Sequence, residues 1–128
     1  MIQECAYEGE GLKLMYDEGD WVIGIKNYKV ANDISTLSAL ERHLLTDESF
    51  VLLEGQCSLV AKQGEKVEIM NMKKNHLYTI DKEVWHTTIM KKGTKMVLIE
   101  KSNTSMENSE MSELTAQEIK DISQVVSP

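Results

Sequence analysis

The feature that most constrains this chain is its rhythm of short alternating runs separated by turn residues. Leu12, Leu14 and Tyr16 alternate with Lys13 and Met15; Asp17-Glu18-Gly19-Asp20 interrupts, and Trp21, Ile23 and Ile25 resume the alternation. Residues two apart share one face of a strand, so this is the pattern of a hairpin. Strands are also expected over Leu40 to Leu45, Phe50 to Leu53, Ser58 to Lys62, Val67 to Met72, Leu77 to Ile80, Val84 to Met90 and Met96 to Glu100. Between them stand turn signals such as Thr46-Asp47, Glu54-Gly55, Gln63-Gly64-Glu65 and Lys73-Lys74-Asn75. Strands this short and this closely spaced, with no long helical pattern among them, predict an all-β sandwich or barrel.

The last quarter changes character. Residues 102–113 are polar and read as a linker. Thr115 and Glu118 then have the spacing of a capping box, with Leu114 and Ile119 placed as a hydrophobic staple. Ile119, Ile122, Val125 and Val126 mark one apolar face, which predicts a short C-terminal α-helix over 114–128. Three turns of helix are marginal alone in water, so it is expected to dock on its own barrel or on a neighbouring subunit. The division is thus a β domain over 1–101, a linker, and a helix.

A chain of 128 residues suits one domain, and at this size about two-thirds of the unfolded surface can be buried without a disulfide. Cys5 and Cys57 lack metal or redox spacing and read as free thiols in a reducing compartment. The N-terminus lacks the basic and apolar regions of a signal peptide, so a cytoplasmic location is expected. No run approaches the ~20 apolar residues of a membrane span, so no membrane partner is expected. The balance of 14 Lys+Arg against 21 Asp+Glu leaves a formal charge of -7 and no basic stripe, so nucleic acid is not an expected partner either.

Against this β background, Glu41, His43 and Glu48 fall close together and His86 stands alone later. Glu41 and His43 share a strand face. His43 and Glu48 are five apart, which would oppose them on one unbroken strand; a turn at Thr46-Asp47 puts Glu48 on the next strand, facing back. Glu48, Phe50 and Leu52 then line one face, as do His86, Thr88 and Met90 on a later strand. Imidazole and carboxylate groups converging in a barrel suggest a mononuclear metal site.

The run from Glu41 to Gly55 resembles the first motif of the cupin superfamily, G-x5-H-x-H-x3,4-E-x6-G. His43 falls on the second His, Glu48 on the Glu and Gly55 on the closing Gly. The Tyr78-x-Ile80-x4-Trp85-His86 pattern is similar to the second motif, with His86 on its His and Asn75 and Glu83 in slots usually held by Gly. The resemblance covers residues 10–101. It implies an all-β cupin double-stranded β-helix, a jelly-roll barrel, and His43, Glu48 and His86 as ligands of one divalent transition metal (Fe, Mn, Ni or Zn). Glu41 stands where the family most often has a His. A carboxylate remains a competent ligand for a hard cation, so Glu41 is a candidate fourth ligand, a hydrogen-bond acceptor near the site, or a catalytic base.

The resemblance also implies a homodimer, and Phe50-Val51-Leu52-Leu53, apolar on both faces, is consistent with one. The expected ligand is a small polar metabolite, a sugar or organic acid. Two classes of function follow: a metal-dependent enzyme of unspecified reaction, or a metal-free dimer that is either a non-catalytic small-molecule binder or carries a vestigial site.

Overall fold

A computed structural model describes residues 1–126. Ten strands form: β1 (Gly11–Asp17), β2 (Trp21–Asn27), β3 (Ala39–His43), β4 (Glu48–Glu54), β5 (Cys57–Gln63), β6 (Lys66–Asn71), β7 (Leu77–Ile80), β8 (Trp85–Met90), β9 (Lys95–Lys101) and β10 (Ser109–Glu113). One helix follows, α1 (Ala116–Val125). The strands make two five-stranded sheets, in the orders β1-β2-β9-β4-β7 and β10-β3-β8-β5-β6. Every pairing is antiparallel.

Alternation along the strands decides what the two sheets enclose. On β4, Glu48, Phe50 and Leu52 are buried while Leu53 is exposed. On β8, His86, Thr88 and Met90 are buried, and on β9 so are Met96 and Leu98. The ladders bring these residues into rows, Phe50 opposite Leu98 and Leu52 opposite Met96. One end of the interior is therefore an apolar plug of Phe50, Leu52, Cys57, Leu59, Met90, Met96 and Leu98. At the other end Glu48, His86 and His43 are buried instead.

Turn chemistry matches backbone demand. Asn75 (φ 69°) and Glu83 (φ 70°) are the left-handed non-glycine residues among those described. They are the two positions where the second cupin motif usually carries Gly. Asn adopts this region at low cost, whereas Glu is strained there. That strain sits three residues before His86, in the turn whose Glu83 N–H donates to the His43 carbonyl at 2.7 Å.

The segment read as a linker, 102–113, contains more structure than expected. Met106–Asn108 is a 3-10 turn, and β10 pairs with all five residues of β3, from Ser109↔His43 to Glu113↔Ala39. Its sequence, Ser-Glu-Met-Ser-Glu, has no β-forming bias, so the strand is imposed by its neighbour. Strand β3 also ends at His43 and does not extend to Leu45.

Helix α1 begins at the expected capping box: Glu118 N–H donates to Thr115 Oγ1 at 3.1 Å, and Thr115 N–H donates to Glu118 Oε1 at 3.0 Å. Ile122 is buried against Leu40, Val60 and Ile89, with Trp85 and Leu114 beside them. Lys62 Nζ closes the flank on Glu118 at 2.8 Å. The helix docks on the outer face of its own barrel; its expected last residues, 127–128, lie outside the described residues. No described helix is long and apolar enough to cross a membrane.

Candidate metal centre

The four residues singled out in the sequence converge. Glu41 and His43 come from β3, Glu48 from the start of β4 and His86 from β8, where it stands directly across from Glu41. His43 Nε2 lies 3.2 Å from Glu48 Oε2 and 3.4 Å from Glu41 Oε1. His86 Nε2 lies 3.3 Å from the other Glu48 oxygen, Oε1. The two imidazoles, with centroids 5.3 Å apart, therefore share one carboxylate. His43, Glu48 and His86 are buried; the Glu41 side chain is 34% exposed and stands at the cavity wall.

Hydrogen bonds behind the rings fix their protons. His86 Nδ1 is 2.9 Å from the Val84 carbonyl, which can only accept, so Nδ1 carries the hydrogen. His43 Nδ1 is 2.8 Å from Ser109 Oγ. That hydroxyl already donates to the Ser105 carbonyl at 2.7 Å, so it accepts from His43. In the neutral tautomer of both rings, Nε2 is thus a bare lone pair aimed at the Glu48 carboxylate. Lone pairs facing a carboxylate at 3.2–3.3 Å repel unless a proton or a cation lies between them.

Two residues of this arrangement were not among the expected ones. Ser109 arrives on β10, the strand hidden in the supposed linker. Glu100 on β9 also enters the site: Glu41, His43 and His86 form one group of close donor atoms, and His43, Glu48 and Glu100 form another. A signal for Glu100 existed, since it continues the inward parity of Met96 and Leu98.

The electrostatics follow from crowding three carboxylates around two imidazoles. Burial pushes the Glu100 acid up, and its hydrogen bond to Glu48 and the charge of that carboxylate push the same way, to about 8. Burial also opposes ionisation of Glu48, but in the metal-free protein hydrogen bonds from His43 and His86, made when their Nε2 atoms are protonated as well, and from the Glu100 acid outweigh it and hold its pKa well below the usual carboxylate range. For His43, burial disfavours the cation, yet Glu48 and then Glu41 outweigh it, and the imidazole pKa is raised. Ionisation is thus favoured at Glu48 and resisted at Glu100 beside it.

The site opens into a cavity of about 340 Å³ between the sheets, which runs from His43, Glu48 and His86 past Thr88 and Leu98 to Lys26. Arg42 is turned away from it, paired with Glu110 and with its guanidinium 4.5 Å over the Trp85 ring. Trp85 therefore belongs to the outer face under α1, and His76 is exposed, stacked near Tyr78.

No protein-family model and no curated protein sequence matches the chain. Solved structures do. A cupin-2 domain protein of Shewanella frigidimarina is 17% identical with a TM-score of 0.56, over 73% of this chain and 82% of its own. The QdtA 3,4-ketoisomerase of Thermoanaerobacterium thermosaccharolyticum, a double mutant solved with TDP, is 14% identical with a TM-score of 0.57, over 69% of this chain and 63% of its own. PAC13 of Streptomyces, solved with uridine, is 9% identical with a TM-score of 0.60, over 87% of this chain and 86% of its own. Identities this low speak to architecture alone, and with the two jelly-roll sheets they establish that this chain has the cupin fold.

Proposed function

We propose that the barrel holds one divalent transition metal (Fe, Mn, Ni or Zn) at His43, Glu48 and His86, and binds a small polar metabolite in the cavity beside it. The observation that carries this reading is the pair of fixed tautomers: Ser109 and Val84 hold both Nδ1 protons, leaving two Nε2 lone pairs directed at one carboxylate. Two imidazoles and a carboxylate suit these ions, and the hydrogen bonds behind the rings are the kind that orient metal-binding histidines. A bound ion supplies Lewis acidity toward a ligand oxygen. Glu41, 3.4 Å from His43 Nε2 and partly exposed to the cavity, either adds a fourth oxygen or accepts a proton from the ligand. Neighbours of the same fold, one a ketoisomerase solved with TDP and one solved with uridine, support a small-molecule ligand of polar character.

A second reading is a metal-free binding barrel. It draws on the raised His43 pKa: an imidazolium between Glu48 and Glu41 also satisfies the cluster. The two separate in one experiment. The protein is stripped with a chelator, reloaded with Fe, Mn, Ni or Zn in turn, and each form is screened against a panel of sugars and organic acids by ligand-observed NMR and for turnover. The metal reading expects at least one compound to bind a loaded form more tightly than the stripped form. Identical binding across all forms contradicts it.

A further inference from the structure

The cavity has a second charged end that the metal reading does not use. Lys26 on β2 lines it together with His43, Glu48 and His86; it comes from the sheet that carries Glu48, facing the sheet that carries His43 and His86. Its position follows from register. On β2, Val22, Gly24 and Lys26 share the inward face, and the ladder to β9 sets Val22 opposite Glu100, Gly24 opposite Leu98 and Lys26 opposite Met96. Lys26 is therefore four residues along the strand from the row that holds Glu100, roughly 13 Å between Cα rows at strand rise.

A lysine facing the inside of a barrel costs stability unless its ammonium is paired. Among the described residues the Lys26 ammonium makes no hydrogen bond and no ion pair. Loss of water around the ammonium lowers its pKa, while the more distant charges of Glu48 and Glu41 act the other way. A second cation stands at the rim. Lys29 is exposed, lines the same cavity, and runs its stem past Gly11, where an added Cβ would come within 3.2 Å of its Cδ. Polar lining continues across from it at Asn32, whose amide donates to the Thr88 carbonyl while its own buried Oδ1 has no partner.

We propose that Lys26, seconded by Lys29, is the anion-binding end of the cavity, and that its ligand is an elongated small acid with a carboxylate at the end remote from His43, Glu48 and His86. The inference rests on the reading of this cavity as the ligand site, and it adds the ligand's charge and length. The carboxylate accepts hydrogen bonds from the Lys26 ammonium and so restores the partner that burial removed.

The test uses malonate, glutarate and pimelate as probes, with the corresponding neutral diamides as controls. Each is titrated calorimetrically into chelator-stripped protein and into Mn(II)-loaded protein, and Mn(II) affinity is measured separately. At least one diacid is expected to bind on the order of tenfold or more tighter than its diamide. Lys26→Met, close in shape and apolar, is expected to remove that preference while leaving Mn(II) affinity unchanged; Lys26→Arg is expected to retain it. Binding of no diacid below about 10 mM in either form, or a preference that survives in Lys26→Met, overturns the proposal. If Mn(II) fails to bind at all, the metal reading falls, and the stripped-protein titrations still decide the role of Lys26.

Discussion

Glu41 and His86 are partners across the β3–β8 ladder, so the carboxylate in the unusual position is locked beside a ring whose place in the site is fixed from behind. The Glu41 carboxylate lies close to both rings, and on the proposed reading it is an adjunct to the donor set. Its side chain is 34% exposed, against 8% for Glu48. We expect Glu41→Gln to weaken divalent-metal affinity by no more than about 10–100-fold, the range of outer-sphere losses. Glu48→Gln should cost more, because both imidazoles lose their shared anion. Equal losses in the two variants, read by calorimetry, would contradict this ranking.

Ser109 tests the tautomer argument directly. Ser109→Ala removes the acceptor on His43 Nδ1 without touching the groups that face Glu48. Metal affinity is expected to fall about tenfold with the fold retained, and ¹⁵N shifts of the His43 ring should show the Nδ1 proton less firmly held. Unchanged affinity and unchanged shifts would remove Ser109 from the site.

Stability of the metal-free protein should depend on pH in a defined direction. His43 has a raised pKa, so its contribution is complete below its ordinary value of 6.5 and is lost as pH rises through the folded-state value. Glu100, raised from 4.5 to about 8, adds a loss in the same direction between those values, because the unfolded chain ionises there and the folded one resists. Glu48, held low, contributes above about 4.5 and loses that contribution as pH falls toward its folded value. The melting temperature of stripped protein should therefore decline from pH 6 to 8.5, and Glu100→Gln should flatten the decline. A melting temperature that rises over this interval would contradict the assignment.

The outer face carries a separate prediction. Ile122 is 4% exposed beneath α1, among Leu40, Val60 and Ile89. Ile122→Ala should destabilise the protein by about 2–4 kcal/mol. Amides of residues 116–125 should be protected from hydrogen exchange in the parent and lose protection first in the variant. Absent protection in the parent would show that the helix does not dock.

The sequence carried the barrel because alternation is a local signal, and it carried Glu41, His43, Glu48 and His86 because a recognisable turn at Thr46-Asp47 folds Glu48 back toward His43. It did not carry β10, whose five residues have no strand bias and pair only because β3 offers an open edge. Ser109 was hidden with it. Glu100 was visible as a charge at the parity of Met96 and Leu98, whereas Lys26 falls opposite the apolar alternation of Trp21, Ile23 and Ile25, and only the assembled sheets show that Val22, Gly24 and Lys26 form the inward face of β2. Asn75 and Glu83 were legible as occupants of glycine slots, but their left-handed angles, φ 69° and 70°, and the strain at Glu83 needed the backbone to be seen.

The central claim is a divalent metal between two imidazoles and one carboxylate. Its most direct measurement is a calorimetric titration of Zn(II) into chelator-stripped protein at pH 7.5, beside His43→Ala and His86→Ala. The account predicts close to one ion bound per chain, and loss of that binding in each variant with the fold preserved. No saturable binding in the parent, or stoichiometric binding that persists in both variants, would contradict it.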